Sequence, residues 1–168
     1  GVGSVAVAVL AKLGHQVVAS TGRPQEHDFL TGLGARSFVD RAELAGPGKA
    51  LQPERWAAAI DVVGSHTLAN VLAQTCYGGA VAACGLAGGA DLPATVMPHI
   101  LRSVALLGVD SVMAPQARRD RAWALLDQHL DRAKLASLTV TAPMSDLPAL
   151  AAKIVAGQLR GRTVIEIG

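Results

Sequence analysis

Cysteine and histidine, which often carry disulfides and metals, are sparse in this chain of 168 residues. The two cysteines, Cys76 and Cys84, form no C-x-x-C pair and are too few for a disulfide framework. The five histidines are scattered and lack the short spacings that metal ligands use. The sequence therefore predicts neither a disulfide-stabilised fold nor a structural or catalytic zinc.

Aromatic residues are also rare, at 3% of the chain, and charged residues make up 17%, whereas 51% of the residues are hydrophobic. This balance excludes a disordered chain. The length fits one domain of ordinary size that buries a core. With so few aromatics, the core must be built mostly from Ala, Val and Leu. Such a core is typical of helices that pack on both faces of a parallel sheet.

Charge and hydropathy exclude several classes of partner. A formal net charge of +2 gives no strong attraction to nucleic acid or to an acidic membrane. The basic cluster of Arg118, Arg119 and Arg121 is interrupted by Asp120, which favours a solvated helix face over an anion site. No apolar run reaches the roughly 18 residues that span a bilayer, and no signal peptide is visible. We expect no nucleic-acid partner, no membrane partner and a cytoplasmic location.

Short apolar segments alternate with helical patterns along most of the chain. This alternation on short connections predicts a doubly wound parallel α/β sheet of the Rossmann type. The last helix is expected to bury Ala122, Trp123, Leu126 and Leu130. The predicted strands are 16–20, 37–40, 58–63, 79–84 and 104–109, and the predicted helices are 2–13, 24–33, 66–75 and 112–130.

The last forty or so residues have a different pattern, with a helix over 147–156 and a closing strand over 163–167. We expect this tail not to continue the alternation of strands and helices. The sequence therefore predicts a dinucleotide-binding unit over residues 1–130. Residues 131–168 are predicted to belong partly to a different structural unit.

The chain opens on Gly1, Val2 and Gly3, followed by Ser4, Val5 and Ala6, which fits the pattern G-x-G-x-x-A literally. Glycines there would let backbone N–H groups approach a pyrophosphate, and the helix that follows would supply the positive end of its dipole. A purely structural turn is the equal alternative, because glycine-rich helix starts are common.

The end of the next strand carries Ser20, Thr21, Gly22 and Arg23. A Rossmann domain contacts the adenine ribose about 20 residues after its glycines, where an Asp or Glu would accept from the 2′-hydroxyl of NAD. Hydroxyls and a guanidinium suit a 2′-phosphate instead, so the sequence favours NADP. The alternative is an N-cap formed by Ser20 and Thr21 with a surface arginine beside them.

Two further predicted strands end in glycine, at Val63–Gly64 and at Cys84–Gly85–Leu86. Ligands of doubly wound sheets lie across the carboxyl ends of the strands, where glycine allows close approach, although each glycine alone also fits a turn. Cys84 is predicted to be a small buried hydrophobe rather than a nucleophile. No candidate acid, base or nucleophile stands out, and the sequence lacks the Tyr-x-x-x-Lys pair, the G-x-S-x-G elbow and the P-loop lysine.

Three stretches carry a family resemblance: GVGSVAVAVLAKLGHQVVASTGRP, AAIDVVGSHTLANVLAQTCYGGAVAACGLAGG and LPATVMPHILRSVALLGVDSV. With the closing QLRGRTVIEI, they resemble the acryloyl-CoA reductase branch of the quinone oxidoreductase-like medium-chain dehydrogenases/reductases. The resemblance implies a GroES-like catalytic domain and a first Rossmann strand that lie outside this sequence. It also implies that the chain's tail returns to that domain, and that Gly3 is the last glycine of the fingerprint.

The resemblance further implies site residues and an activity. Ser20, Gly22 and Arg23 would hold the 2′-phosphate of NADPH, while Cys84, Gly85 and Leu86 would lie along the nicotinamide half. Arg162, in the family's Gly-Arg signature, would reach the cofactor. Asp110 and Ser111 are also expected to contact the cofactor, and they follow the last Rossmann strand, which in similar proteins pairs with its mate in a homodimer.

The implied reaction is NADPH-dependent, zinc-free reduction of an α,β-unsaturated acyl-CoA such as acryloyl-CoA. The stabilising groups would come mostly from the domain outside this sequence. A quinone or enone oxidoreductase and a non-catalytic NADPH-binding protein are the alternatives.

Overall fold

The computed structural model describes residues 1–167, in which helices alternate with parallel strands. The strands are β1 (Val17–Thr21), β2 (Ala35–Asp40), β3 (Trp56–Asp61), β4 (Thr75–Ala83), β5 (Ala105–Gly108), β6 (Thr139–Pro143) and β7 (Arg162–Glu166). The helices are α1 (Val2–Lys12), α2 (His27–Leu33), α3 (Ser65–Gln74), α4 (Met97–Arg102), α5 (Gln116–His129), α6 (Arg132–Ser137) and α7 (Leu147–Val155). Short 3-10 helices cover Pro24–Glu26, Arg41–Leu44 and Met144–Asp146.

A glycine follows each of the first two helices, whose predicted ranges 2–13 and 24–33 stop directly before Gly14 and Gly34. Gly14 has a φ of +87°, and its N–H donates to the carbonyl of Ala11 at 3.0 Å. Gly34 ends α2 with a φ of +115°. A side chain at Gly34 would also collide with Ala11, so this glycine lets α1 and α2 pack closely.

The strands pair in parallel, which confirms the predicted α/β fold class, but they form three hydrogen-bonded groups. β1 pairs with β2, β4 lies between β3 and β5, and β6 pairs with β7. Within residues 1–167, no strand pairs with the outer edge of β1 or of β3. In the Rossmann order the first strand lies between the second and the fourth, whose places β1 and β3 take here. The break in the sheet therefore falls at the strand that the resemblance places outside this sequence.

The tail does continue the alternation of strands and helices, so that sequence-based expectation is wrong. β6 and β7 are parallel, with Thr139 opposite Arg162, and α7 connects them. β-branched residues such as Thr139 and Val140 favour a strand at a position where the sequence analysis assigned none. The division of the chain after residue 130 stays a prediction.

Two apolar clusters form the core. The first packs α1 and α2 against β1 and β2, and the tail contributes Leu138 to it. The second packs α3 against the β3–β5 group and includes Val39 of β2 and Leu44 of the 3-10 helix that follows β2. The buried members of the first are Val7, Ala8, Val17, Ala19, Leu33, Ala35 and Leu138. Those of the second are Val39, Leu44, Leu68, Val71, Leu72, Val81 and Val104.

α5 differs from its prediction in both length and burial. It begins at Gln116 rather than at residue 112, and it has no buried residue. Trp123 is 64% exposed and Ala122 is exposed as well, whereas Leu126 and Leu130 are half-buried. Leu130, the residue directly after α5, packs against the first cluster. None of the helices in the described range 1–167 is long and apolar enough to cross a membrane.

Candidate functional site

The amino end of α1 is accessible and lies against the segment that leads to Arg162. Gly1 is its N-cap residue, and a Cβ placed on Gly3 would meet no atom within 4 Å. The first turn, which includes Val2, has no acidic side chain. A Cβ placed on Gly1 would lie 3.8 Å from the carbonyl oxygen of Gly161, so the residue before Arg162 lies against this helix end. An accessible helix amino end without acidic side chains, beside the start of β7 at Arg162, is an arrangement that suits a phosphate.

The carboxyl end of β1 positions Arg23. The backbone N–H of Arg23 donates to Oγ1 of Thr21 at 3.1 Å, and its Nη1 donates to the carbonyls of Gly157 at 3.2 Å and of Leu159 at 3.5 Å. Ser20 is exposed at the end of the strand. Gly22 is exposed too, and the adjacent 3-10 helix has Arg23 at its N-cap with no side-chain cap. The N-cap reading of Ser20 and Thr21 is therefore not what the structure shows.

The tight turn after β3 depends on Asp61. Its side chain is 4% exposed, and Oδ2 accepts the backbone N–H of Gly64 at 2.8 Å. Gly64 has a φ of +76° and a ψ of −163°, a combination that is essentially restricted to glycine. A side chain at Gly64 would collide with the carbonyl oxygen of Gly89. The predicted strand 58–63 ends at Asp61, because the chain turns there toward the next loop.

The loops that follow β3 and β4 are hydrogen-bonded to each other. The N–H of Gly88 donates to the carbonyl of Val63 at 2.7 Å. Ser65 donates from its backbone N–H to the carbonyl of Asp91 at 3.1 Å, and from its hydroxyl to the Asp91 carboxylate at 3.0 Å. A Cβ on Gly85 would lie 2.5 Å from the carbonyl oxygen of Val62, so the two loops approach at backbone distance. These contacts bring the predicted residues at 63–64 and 84–86 onto one ridge.

Cys84 is exposed, so its prediction as a buried hydrophobe is wrong. Its backbone N–H and its Sγ both donate to the carbonyl of Asp61, at 2.9 Å and 3.3 Å. The pKa of the thiol is raised, mainly by partial burial and then by the Asp61 charge. A raised pKa disfavours the thiolate, which argues against a nucleophile. Leu86, two residues on, is 66% exposed at the same strand end.

Asp110 and Ser111 form a separate turn after β5. The Asp110 carboxylate accepts the N–H groups of Val112 at 2.9 Å and Met113 at 3.0 Å, which lower its pKa. The carbonyl of Ser111 accepts from Nη1 of Arg119 at 2.8 Å. Asp110 and Ser111 therefore both accept hydrogen bonds, and both belong to the turn that follows β5, the strand that pairs with β4.

Sequence reasoning missed Asp61, Ser65 and Asp91. For Asp61 the sequence contained a signal, because a glycine after a strand, such as Gly64, indicates a turn whose backbone N–H needs an acceptor. Asp91 had no such signal, because it meets Ser65 across 26 residues of chain. Among residues 1–167, no three His, Cys, Asp or Glu side chains come together in a way that could hold a metal ion.

Comparison with known proteins shows the family of this chain. The family described as zinc-binding dehydrogenase matches residues 1–128. The curated protein "Acrylyl-CoA reductase AcuI" of Ruegeria pomeroyi is 52% identical over 168 residues, which is 99% of this chain and 51% of that protein. "Putative quinone oxidoreductase YhfP" of Bacillus subtilis is 38% identical over 99% of this chain and 51% of its own length. This chain therefore spans about half the length of the curated relatives that it matches.

A solved structure covers the whole chain. The crystal structure of the yhdH oxidoreductase from Salmonella enterica in complex with NADP has a TM-score of 0.97 and 50% identity, over 100% of this chain and 52% of its own. The fold predicted from the sequence is confirmed by this likeness. The chain belongs to the zinc-binding dehydrogenase family of medium-chain dehydrogenases/reductases, and its likeness to the acryloyl-CoA reductase branch is confirmed.

Proposed function

We propose that this chain is the NADPH-binding part of an enzyme that reduces an α,β-unsaturated acyl-CoA such as acryloyl-CoA. The observation that carries the proposal is the end of β1, where the carbonyls of Gly157 and Leu159 hold Arg23 and the strand ends in hydroxyls in place of a carboxylate. An NADPH-specific site needs positive charge and donors there, whereas a carboxylate would repel a 2′-phosphate. The 52% identity to an acrylyl-CoA reductase and the NADP complex of a relative at 50% identity support it.

Different residues of this chain suit the 2′-phosphate and the pyrophosphate of NADPH. Arg23, with Ser20 and Gly22, would hold the 2′-phosphate. Gly1, Val2 and Gly3 with Arg162 would hold the pyrophosphate, because open space at Gly3 leaves room beside backbone N–H groups.

The ridge built from the loops after β3 and β4 would support the nicotinamide half. Val63, Gly64, Cys84, Gly85 and Leu86 belong to it, and the hydrogen bonds between the loops fix its shape before any ligand arrives. A bound nicotinamide supplies the hydride chemistry, while the protein orients it and excludes water. Asp110 and Ser111 would border the same end of the sheet.

The test is the reduction of acceptors by the protein expressed from its complete coding sequence. We expect NADPH oxidation with acryloyl-CoA, slower oxidation with crotonyl-CoA and little with simple quinones. Arg23→Ala should weaken NADPH binding much more than NADH binding, whereas Arg118→Ala, which removes an exposed arginine of α5, should change neither. Equal losses for both cofactors in Arg23→Ala would contradict the assignment.

A quinone or enone oxidoreductase is the second candidate, and the 38% identity to a protein named for quinone oxidoreduction favours it. Faster turnover with quinones than with either acyl-CoA would support this candidate. Tight NADPH binding with no oxidation by any acceptor would instead support a non-catalytic binding protein.

A homodimer through β5 is part of the proposal. Within residues 1–167, β5 pairs only with β4, and the exposed side chains of Leu107, Val109, Val112 and Met113 lie along and after its free edge. Free strand edges with apolar side chains pair readily with a second copy. Light scattering should show a dimer, and Leu107→Asp should convert it to a monomer. A cytoplasmic location is the matching expectation for the whole protein.

A further inference from the structure

The segment 157–162 links α7 to β7 and lies against the residues proposed to bind phosphate. At its start, the N–H groups of Gly157 and Gln158 donate to the carboxyl end of α7. At its end, Arg162 donates its N–H to the carbonyl of Leu138 at 2.7 Å. Gly161 has a φ of +69°, and a side chain there would collide with the Leu138 carbonyl oxygen. The segment is therefore fixed at both ends.

Arg23 takes its partners from this segment. Its Nη1 donates to two neutral carbonyls, those of Gly157 and Leu159, and within residues 1–167 its Nε and Nη2 make no hydrogen bond. The guanidinium is thereby held in place by neutral acceptors and not by an ion pair with a carboxylate. An arginine anchored through one nitrogen still has donors for a phosphate on the other two.

Glu26 is the carboxylate closest to Arg23 along the chain, and it is engaged elsewhere. Its backbone N–H donates to the Arg23 carbonyl at 3.0 Å, so both residues belong to the same turn. Its carboxylate accepts from Nη1 of Arg160 at 3.1 Å, and the Glu26 side chain is only 15% exposed. The Arg160 guanidinium also lies 4.4 Å from the ring centre of Phe29, a cation–π distance.

We propose that Arg160 is a positioning residue for NADPH specificity. It keeps Glu26 away from Arg23. It also holds the segment 157–162, so that the carbonyls of this segment orient the Arg23 guanidinium. Without Arg160, the Glu26 carboxylate is free to turn toward Arg23 and to repel a 2′-phosphate bound there. NADH has no 2′-phosphate, so its binding does not depend on this arrangement. The inference rests on the proposed function, in which Arg23 binds the 2′-phosphate.

The experiment measures NADPH and NADH dissociation constants by nicotinamide fluorescence, in the protein expressed from its complete coding sequence. Arg160→Gln should weaken NADPH binding about fivefold, as expected for a half-exposed ion pair, and should change NADH binding by less than about twofold. The double variant Glu26→Gln with Arg160→Gln should recover much of the NADPH affinity, because no free carboxylate remains. In an Arg23→Ala background, Arg160→Gln should cause no further loss of NADPH affinity.

The matched control is Asp127→Asn, which breaks the ion pair between Arg132 and Asp127 at 3.3 Å, whose side chains are 91% and 77% exposed. It should leave both dissociation constants unchanged. A loss of NADPH affinity in Arg160→Gln that persists in the Arg23→Ala background, or that is equal for NADH, would overturn the inference and assign Arg160 a purely structural role.

The same measurements separate this inference from the proposed function. If the unmodified protein shows no preference for NADPH over NADH, the proposed cofactor is wrong and the inference is overturned with it. If the unmodified protein prefers NADPH and Arg160→Gln binds it equally well, the inference alone is overturned.

Discussion

The buried carboxylate of Asp61 accepts a hydrogen bond from the backbone N–H of Gly64 at 2.8 Å, and this contact closes the turn after β3. The turn places Val62 and Val63 where their carbonyls accept N–H groups of the neighbouring loop. One side chain thus supports a ridge to which both loops contribute. The hydrogen bond between Asp61 and Gly64 also contributes to the free energy of unfolding.

Replacing Asp61 with Ala should destabilise the protein by about 1–3 kcal/mol, because the Gly64 N–H then lies buried without an acceptor. Asp61→Asn should lower the free energy of unfolding by less, since its amide oxygen can still accept a hydrogen bond from the Gly64 N–H. Urea unfolding monitored by circular dichroism measures both free energies. If Asp61→Ala and Asp61→Asn were equally stable, the hydrogen bond would not be what holds the turn.

Gly64→Ala should be more destabilising than an ordinary glycine substitution at positive φ. The residue's φ of +76° with ψ of −163° disfavours any side chain, and a Cβ would also collide with the Gly89 carbonyl. We expect a loss of about 3 kcal/mol or more in the free energy of unfolding, with weaker cofactor binding.

The control for this prediction is Gly157→Ala, whose residue has a φ of +67° but no neighbouring atom within 4 Å of the added Cβ. Only backbone strain acts at this position, so Gly157→Ala should lower the free energy of unfolding by about 1 kcal/mol. Comparable losses in the two variants, measured by the same unfolding experiment, would show that the contact with Gly89 contributes nothing.

The sequence predicted those features of the fold whose causes are local. Gly14 and Gly34 end helices because glycine tolerates positive φ, and a glycine after a helical pattern is visible without any structure. The parallel α/β class could also be predicted, because the alternation of apolar segments with helical patterns is visible in the local sequence. Of the candidate site, the residues at strand ends could be predicted because every parallel strand presents its carboxyl end to one edge.

The remaining features depend on contacts that are distant in sequence. Ser65 meets Asp91, and Arg23 meets Gly157 across 134 residues, so neither contact leaves a local pattern. Trp123 was expected to be buried because large apolar residues on helices usually are, yet it is 64% exposed, because the contact of this region with the core is made by the residue directly after α5. Periodicity shows which face of a helix is apolar, but not whether another element covers it.

Asn70 should be among the most sensitive polar positions. The side chain is buried, donates to the carbonyls of Leu44 at 2.9 Å and Gly46 at 2.8 Å, and accepts from Gln52 at 2.7 Å. Asn70→Ala leaves three partners unsatisfied and should cost about 2–4 kcal/mol in unfolding free energy.

Asn70→Asp provides the sharper version of this test. It keeps the acceptor for Gln52 but places a carboxylate oxygen opposite two carbonyls, so at neutral pH it should be at least as destabilising as Asn70→Ala. Acidification should recover part of the stability of Asn70→Asp relative to the unmodified protein, because the protonated acid regains one donor. Gln128→Ala, at an exposed position of α5, should change the stability by less than about 0.5 kcal/mol. An Asn70→Asp variant that is as stable as the unmodified protein would show that these donors are dispensable.

Cys84 should react slowly with iodoacetamide despite its exposure. Its pKa is raised by partial burial and by the Asp61 charge, so the reactive thiolate is less populated at a given pH than in a free cysteine. In a Cys76→Ala background, which leaves Cys84 as the remaining thiol of these 168 residues, the midpoint of the rate–pH profile of Cys84, followed by mass spectrometry of its peptide, should lie above that of a cysteine-containing peptide. Asp61→Asn should shift this midpoint back toward lower pH, because a negative charge beside the thiolate has been removed. A midpoint at or below that of the peptide would show that Cys84 is activated, and a nucleophilic role would then have to be reconsidered.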